Sequence, residues 1–139
     1  MAQIRALPFP IIAVIPGAET GVELADRLSA RLGLRSNGED GSLARRNKYH
    51  MGEKVRQAGV RAVKQQMCRS LDELEAFLDE LEKVKNTSKC VVKPVQSAGT
   101  DDVFLCSSRA EARAAFATIN GKLNGLGLTN DGALAQVLL

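Results

Sequence analysis

Aromatic residues are scarce in this 139-residue sequence, which contains no tryptophan, one tyrosine and four phenylalanines. A core built from this composition must rest mainly on aliphatic side chains. Single-strand nucleic-acid sites need stacking aromatic rings as well as a basic groove. The net charge here is only +3, with both signs interspersed along the chain. The composition therefore predicts a soluble globular protein without a nucleic-acid partner.

Motifs for metal binding and redox chemistry are also missing. The three cysteines, Cys68, Cys90 and Cys106, show no CxxC spacing, and His50 is the only histidine. A structural zinc site needs about four nitrogen or sulfur ligands, so no metal site is predicted. If the chain folds back about Ala98, Cys90 and Cys106 lie opposite each other. A disulfide there is the alternative to buried, reduced thiols, which are the default interpretation.

Long apolar runs are absent as well. No stretch approaches the ~20 consecutive apolar residues of a membrane-spanning helix. The N-terminal sequence MAQIRALPFPIIAVIPG is interrupted by Pro8 and Pro10 and is too short for a signal peptide. We interpret it as the approach to a strand, and we expect a cytoplasmic protein without a membrane partner.

Strand and helix patterns alternate along the chain. A near-continuous apolar run at 10–17 predicts a strand buried on both faces, and a helical pattern follows it as far as Gly33. The polar stretch 34–44 indicates a loop or linker. Helical character resumes over 45–59, and the β-branched start of 60–68 predicts a strand.

Two capping boxes predict where further helices begin. Ser70 with Glu73, and Ser108 with Glu111, each precede a run of apolar residues at helical spacing. Two short strands flank the polar sequence QSAGTDD between these helices, and ALAQVLL predicts a final strand. The resulting order, β-α-loop-α-β-α-β-β-α-β, indicates an α/β (α+β) fold.

The segment VVKPVQSAGTDDVFLC carries the strongest candidate site. Small residues from Ser97 to Thr100 can expose consecutive backbone N–H groups to an anion. Lys93 adds a positive charge that suits a phosphate oxygen. A plain hairpin with a polar turn, and with its lysine at a sheet edge, explains the same residues. No GxxxxGK[ST] sequence is present, so a phosphate loop of the Walker type is excluded.

Three motifs in sequence, NKYHMGEKVRQAGVRAVKQ, CVVKPVQSAGTDDVFLC and LAQVLL, resemble the ATP-grasp superfamily, in its carboxylate–amine ligase branch of carnosine-synthase-like and amino-acid-ligase-like enzymes. The resemblance implies that residues 45–139 are the first nucleotide-binding subdomain, truncated at its hinge strand. Residues 1–44 would be the end of the preceding α/β domain and its linker. Such ligases use ATP and Mg²⁺ to convert a carboxylate into an acyl phosphate, from which an amine forms an amide. The implied partners are ATP and small, amino-acid-like carboxylates and amines.

The resemblance also implies roles for individual residues at the nucleotide phosphates. Lys48, near the start of the linker helix, would contact the phosphates. Lys93 would lie between the adenine side and the phosphates. The loop that closes over the triphosphate falls on Ser97, Ala98, Gly99 and Thr100.

The hinge strand that contacts adenine falls on AQVLL, with Gln136 and Leu139 flanking the contact. Val137 stands where related sequences commonly carry an acidic residue. The second subdomain of the family, with Glu and Asn ligands for magnesium and an Arg for the acyl phosphate, would follow Leu139. We therefore expect a fragment or truncated product of such a ligase, with weak or no ATP binding and no turnover by itself. An exposed sheet edge is expected to favour self-association.

Two other interpretations stay open at this point. The chain is alternatively a non-catalytic nucleotide- or partner-binding α/β module, which Val137 and the missing metal ligands favour. A third interpretation is a small α/β protein in which QSAGTDD only turns the chain.

Overall fold

A computed structural model describes residues 2–138 of the chain. They form two compact units, the first ending at Leu43 and the second beginning at Ala44. The boundary lies within a short helix, α3 (Ser42–Arg46). Over the described residues, no helix is long and apolar enough to cross a membrane.

The first unit contains two helices and a long irregular stretch. Helix α1 spans Ala2–Arg5, and α2 spans Val22–Leu32 after a single 3-10 turn at Glu19–Gly21. Helix α2 ends where its sequence predicts, because Gly33 adopts the left-handed conformation (φ 67°) that closes many helices.

The strand predicted at 10–17 is wrong. These residues have no regular secondary structure, and none of them belongs to the described sheet. Ile12 and Ile15 are 84% and 82% exposed. An extended segment becomes a strand only when a neighbour satisfies its backbone N–H and C=O groups. The apolar composition of this run predicts burial, but composition does not specify the neighbouring strand that a sheet requires.

The second unit is built on a four-stranded antiparallel sheet. Its strands are β1 (Gln65–Cys68), β2 (Cys90–Lys93), β3 (Phe104–Cys106) and β4 (Ala133–Val137). Their spatial order is β1-β4-β2-β3, so β4 is a central strand although it comes last in sequence. The predicted mixed class of helices and strands is confirmed, in its α+β form.

Two helices cover one face of this sheet. Helix α5 spans Leu71–Lys85, and α6 spans Arg109–Ile119. Both begin at the predicted capping boxes, which are confirmed. The Ser70 hydroxyl accepts a hydrogen bond from the N–H of Glu73 at 3.2 Å, and Ser108 caps α6 in the same way at 3.3 Å. Each cap satisfies a backbone donor that the first helical turn leaves without a partner.

The single helix predicted at 45–59 is instead two helices. Helix α3 ends at Arg46, and α4 spans Lys48–Gln57. Asn47 separates them because it is extended and its side-chain oxygen accepts from the N–H of His50 at 3.0 Å. A side chain that caps a new helix start competes with continuation of the previous helix. Apolar spacing does not reveal such a break.

The core of the second unit lies between the sheet and the helices α5 and α6. It is mainly aliphatic, as the composition predicts, and strand residues alternate between this face and the opposite one. Its buried members are Cys68, Leu74, Phe77, Leu78, Leu81, Cys90, Val92, Cys106, Ala112, Ala115, Phe116, Ile119, Ala133, Ala135 and Val137.

All three cysteine thiols are free and buried in this core. Cys90 and Cys106 are directly opposite residues of β2 and β3, as the sequence predicts, without a disulfide between them. Burial raises the pKa of Cys68 and of Cys90 to about 12. The thiolate is the reactive form of cysteine, so these side chains are poor nucleophiles at neutral pH.

Replacement of Leu81 by alanine tests the position of the core. Leu81 is 1% exposed, whereas Leu71 of the same helix is 45% exposed. We expect Leu81→Ala to lower the free energy of unfolding by about 2–5 kcal/mol, because it leaves a cavity. The matched change Leu71→Ala should cost less than about 1 kcal/mol. Urea denaturation measures both, and equal losses would contradict the assignment of the buried face.

The thiols provide a second test of the same core. At pH 8 the folded chain should react slowly with DTNB at all three cysteines, because burial keeps these side chains protonated and inaccessible. The same chain in guanidinium chloride should release three equivalents of chromophore at once. Rapid reaction of three thiols under native conditions would show that the sheet is not packed beneath α5 and α6.

Candidate functional site

The candidate site lies on the sheet face opposite α5 and α6. In β2, Cys90 and Val92 are buried in the core, so the alternate residues Val91 and Lys93 belong to the other face. Val91 is paired with Gln136 of β4, and Lys93 is paired with Leu134. The predicted lysine and the predicted hinge strand are therefore neighbours in the sheet.

Lys93 is a partly buried cation on a central strand. The interpretation that places it at a sheet edge is wrong, because β2 lies between β4 and β3. Among the described residues, its ammonium group has neither a hydrogen bond nor an ion pair. Partial burial lowers the pKa of Lys93, since desolvation disfavours the charged form. A desolvated cation without a counter-charge is suited to bind an anion.

Lys48, the first residue of α4, contacts the loop that follows Lys93. We call residues 97–103 the glycine loop. The Nζ atom of Lys48 donates to the carbonyl oxygen of Ser97 at 3.0 Å and to its hydroxyl oxygen at 3.1 Å. The backbone N–H of Lys48 donates to the carbonyl of Val95 at 2.9 Å. These bonds join residues 47 and 49 positions apart in sequence, and they hold the start of α4 against the residues at the start of the glycine loop.

The glycine loop consists of two tight turns. The N–H of Asp101 donates to the carbonyl of Ala98 at 3.2 Å, and the N–H of Val103 donates to that of Thr100 at 3.3 Å. Gly99 and Thr100 have φ values of 63° and 62°, in the left-handed region that glycine adopts without strain and threonine rarely adopts. Gly99 and Thr100 are exposed. Successive small residues in such turns present N–H groups that suit an anion.

Gln136, the first of the two predicted hinge residues, is hydrogen-bonded to strand β1. The Nε2 of Gln136 donates to the Oε1 of Gln65 at 2.8 Å. Gln65 in turn donates to the carbonyl of Tyr49 at 2.8 Å and to Glu53 at 3.0 Å. This chain of hydrogen bonds connects β4 through β1 to α4. Leu139 lies outside the described residues.

A loop that the sequence analysis did not assign to the site supports the root of the glycine loop. Asn124 is buried in the loop 121–130, and its Nδ2 donates to the carbonyl of Gln96 at 2.7 Å and to Asn130 at 3.0 Å. Its Oδ1 accepts two backbone N–H groups of its own loop. The only sequence signal was a run of glycine and asparagine, which indicates a loop without showing what it contacts.

A cavity of about 330 Å³ lies between the loop 121–130, residues Val95 and Gln96, and the end of β1. Asn47, Met67, Arg69, Val95 and Asn124 are among the residues that line it. Arg69 contacts Asp131 across this region at 3.3 Å, with both side chains largely exposed. The sequence does not reveal this cavity, because its residues come from four separate segments.

Known proteins similar to this chain include a synthase and two ligases. It is 41% identical over 133 residues to dapdiamide A synthase from Enterobacter agglomerans, a match of 95% of this chain and 30% of that protein. The L-amino acid ligase from Bacillus licheniformis superposes with a TM-score of 0.66 at 19% identity, over 99% of this chain and 28% of the ligase. The D-alanine–D-alanine ligase from Coxiella burnetii gives a TM-score of 0.69 at 14% identity, over 98% and 40% respectively. No family model matches the chain.

The two solved structures show that the chain has the fold of part of these ligases. The 41% identity across nearly the whole chain extends the likeness from the fold to the sequence. The predicted resemblance to the carboxylate–amine ligase branch of the ATP-grasp superfamily is confirmed. It spans about 30% of the length of the curated relative that it matches.

Replacement of Lys93 tests whether its charge costs stability. We expect Lys93→Met to raise the free energy of unfolding by about 1 kcal/mol or less, because it removes a partly desolvated charge that no described residue neutralises. The matched change of the exposed Lys122 should have no measurable effect. The wild-type chain should also gain stability as the pH rises from the lowered pKa of Lys93 towards 10.5, because the unfolded state then binds more protons.

Thermal denaturation of both variants at pH 7 provides the comparison. A lower melting temperature for Lys93→Met than for Lys122→Met would show that the charge of Lys93 stabilises the fold. In that case Lys93 would be a residue that stabilises the fold and not one that binds an anion.

Proposed function

We propose that this chain supplies one side of the ATP site of a ligase that joins a carboxylate to an amine. In this proposal residues 45–139 act as the first nucleotide-binding subdomain, and residues 1–44 are the end of the preceding domain and its linker. The observation that carries it is the bond from Lys48 to Ser97, four residues beyond Lys93. This bond places the charge of Lys48 at the loop that follows Lys93.

The phosphates of ATP fit the groups that converge here. We assign them to Lys48 and Lys93, which neutralise negative charge. The small residues of the glycine loop would cover the phosphates with backbone and hydroxyl donors; they are Ser97, Ala98, Gly99 and Thr100. When bound, ATP supplies the γ-phosphate that activates a carboxylate. The part of this chain in that chemistry is to position phosphates and stabilise their charge.

We assign adenine to the end of β4, flanked by Gln136 and Leu139. The side chain of Gln136 is held by Gln65, which fixes this part of the strand relative to α4. Val137 is 4% exposed and belongs to the helix-side core, so an acidic side chain there would be buried. Valine at this position is therefore consistent with packing, and its presence does not count against a nucleotide on the opposite face.

The magnesium ions that ATP-grasp ligases use do not fit the residues of this chain. Within residues 2–138, no group of three or more His, Cys, Asp and Glu side chains lies close enough together to hold a metal ion. The proposal therefore assigns Mg²⁺ to acidic and amide ligands in the second subdomain of the family. No step of the reaction is assigned to a metal on this chain.

The proposed substrates are a small, amino-acid-like carboxylate and an amine. The names of the relatives support this class, since two are amino-acid ligases and the third is a synthase of dapdiamide A. We also propose that the chain self-associates at high concentration. The edge strand β3, where Leu105 is 68% exposed, is the surface for this contact.

A non-catalytic nucleotide- or partner-binding module is the second candidate. The observation that favours it is the lack of a metal-binding cluster over the described residues. It differs from the first candidate in having no role in an amide-forming reaction, although it shares the same phosphate-binding groups.

An NMR titration with ATP tests the nucleotide site. We expect weak binding, with a dissociation constant of about 1 mM or above, because a single subdomain contacts only one side of the nucleotide. Amide shifts should be confined to the glycine loop, to the neighbourhoods of Lys48 and Lys93, and to the end of β4. Lys93→Ala and Lys48→Ala should each remove most of the shifts, whereas Lys122→Ala should leave them unchanged.

Shifts that persist in both lysine variants would place the nucleotide elsewhere and would contradict the assignment. With ATP, Mg²⁺ and mixed amino acids, the isolated chain should release no phosphate above the rate of a sample without protein. Amino-acid-dependent phosphate release would show that these 139 residues are sufficient for the ligase reaction.

A further inference from the structure

A carboxylate on the glycine loop is bonded to a separate loop of the fold. The Oδ2 atom of Asp101 accepts a hydrogen bond from the backbone N–H of Gly125 at 2.6 Å, across 24 residues of sequence. The adjacent acid, Asp102, has no hydrogen bond or ion pair within the described part of the chain. Of these two neighbouring carboxylates, only that of Asp101 is bound to another loop of the described structure.

The absence of a side chain at Gly125 leaves room for this contact. A Cβ atom built at this position would lie 2.9 Å from the Oδ2 of Asp101, closer than real Cβ atoms approach a neighbour. Its backbone does not have a positive φ. The three atoms nearest to such a Cβ all belong to the Asp101 carboxylate, which an alanine would displace. Glycine at this position is thus explained by the approach of Asp101.

The bond to Gly125 is the second attachment of the glycine loop to neighbouring elements, and the first attachment is at the start of the loop. Its first residue, Ser97, is held by Lys48, and the preceding carbonyl of Gln96 is held by Asn124. Asp101 fastens the second half of the loop to the same loop 121–130 that contains Asn124. Between these attachments only residues 98–100 are without a bond to another element in the described structure.

The charge of Asp101 would by itself oppose a phosphate-covering loop, because like charges repel. Its bond to Gly125 directs the carboxylate onto a backbone donor of the neighbouring loop. A hydrogen bond to a charged acceptor is stronger than one between neutral groups. The same hydrogen bond therefore limits the motion of the loop. It also binds the negative charge of Asp101, which would otherwise repel a bound triphosphate.

We propose that Asp101 is a positioning residue, which fastens the glycine loop to Gly125 and so sets the orientation of residues 98–100 towards the phosphates. The attachment itself follows from the contacts of the chain. Its effect on phosphates rests on the proposed function. Two separate measurements on the 139-residue chain distinguish these two parts.

Amide hydrogen exchange without nucleotide measures the attachment. The reporters are the N–H groups of residue 125, which is itself the donor, and of residues 101 and 103. We expect Asp101→Ala and Gly125→Ala to speed their exchange about tenfold, as loss of one charge-assisted hydrogen bond predicts. Asp101→Asn retains an oxygen acceptor and should give a smaller effect. Asp102→Asn, which removes the same charge from the next residue, should leave exchange unchanged.

Titrations with ATP and with AMP measure the effect on phosphates. Asp101→Ala and Gly125→Ala should weaken ATP about fivefold, the size of one exposed charge-assisted bond, and leave AMP unchanged because it lacks the outer phosphates. Asp102→Asn should leave ATP unchanged or tighten it, because it removes only repulsion. A general loss of folding would instead weaken both nucleotides together.

Unchanged exchange in both Asp101→Ala and Gly125→Ala would overturn the attachment. Faster exchange with an unaltered preference for ATP over AMP would overturn the positioning role. If the wild-type chain gives no ATP-dependent shifts at any concentration, the proposed function fails for this chain. The positioning role towards phosphates fails with it, and exchange then decides the attachment alone.

Discussion

The insertion of β4 between β1 and β2 is the constraint on which the second unit depends. Without β4 the sheet separates into a lone strand and a two-stranded hairpin, because among the described strands β1 pairs only with β4. Gly132 makes the insertion sterically feasible. A Cβ atom there would lie 2.3 Å from the backbone oxygen of Cys68, and its φ of 98° is one that other residues rarely adopt. Any side chain at this position would push the start of β4 away from the end of β1.

The same insertion arranges the candidate site. Because β4 is antiparallel to β2, Leu134 is placed beside Lys93, and Gln136 is placed two residues further along the same face. The end of the sheet that carries Lys93 continues into the glycine loop, while Gln65 and Gln136 link the strands to α4. The phosphate and adenine assignments thus lie along one sheet face, at opposite ends of the central strands.

Local sequence signals predicted those parts of the fold that local interactions determine. The capping boxes at Ser70 and Ser108 involve residues three apart, so they are visible in the sequence and are confirmed in the structure. The break at Asn47 was missed because a cap can replace continued helix without any change in apolar spacing. The run 10–17 was misread as a strand because burial depends on neighbours that the run itself does not specify.

The candidate site, like the fold, could be predicted from the sequence where it depends on local contacts and not where it depends on distant ones. Residues alone indicated an anion site or a plain hairpin at Lys93, and only the resemblance to a family connected Lys48 with it. The contacts of Asn124 and of Asp101 with other loops join residues 28 and 24 positions apart, so no spacing rule could predict them. A buried amide and a loop carboxylate become recognisable as parts of a site only once the chain is folded.

The central place of β4 also determines when this unit can fold during synthesis. Strand β1 and the hairpin of β2 and β3 leave the ribosome before residues 133–137, and until then each has an unpaired edge. Such edges pair readily with those of other chains. At 5–20 residues per second, the roughly 65 residues between β1 and the start of β4 correspond to an interval of about 3–13 seconds. The nascent chain is therefore most exposed to aggregation during this interval, and a chaperone that covers strand edges would act on it then.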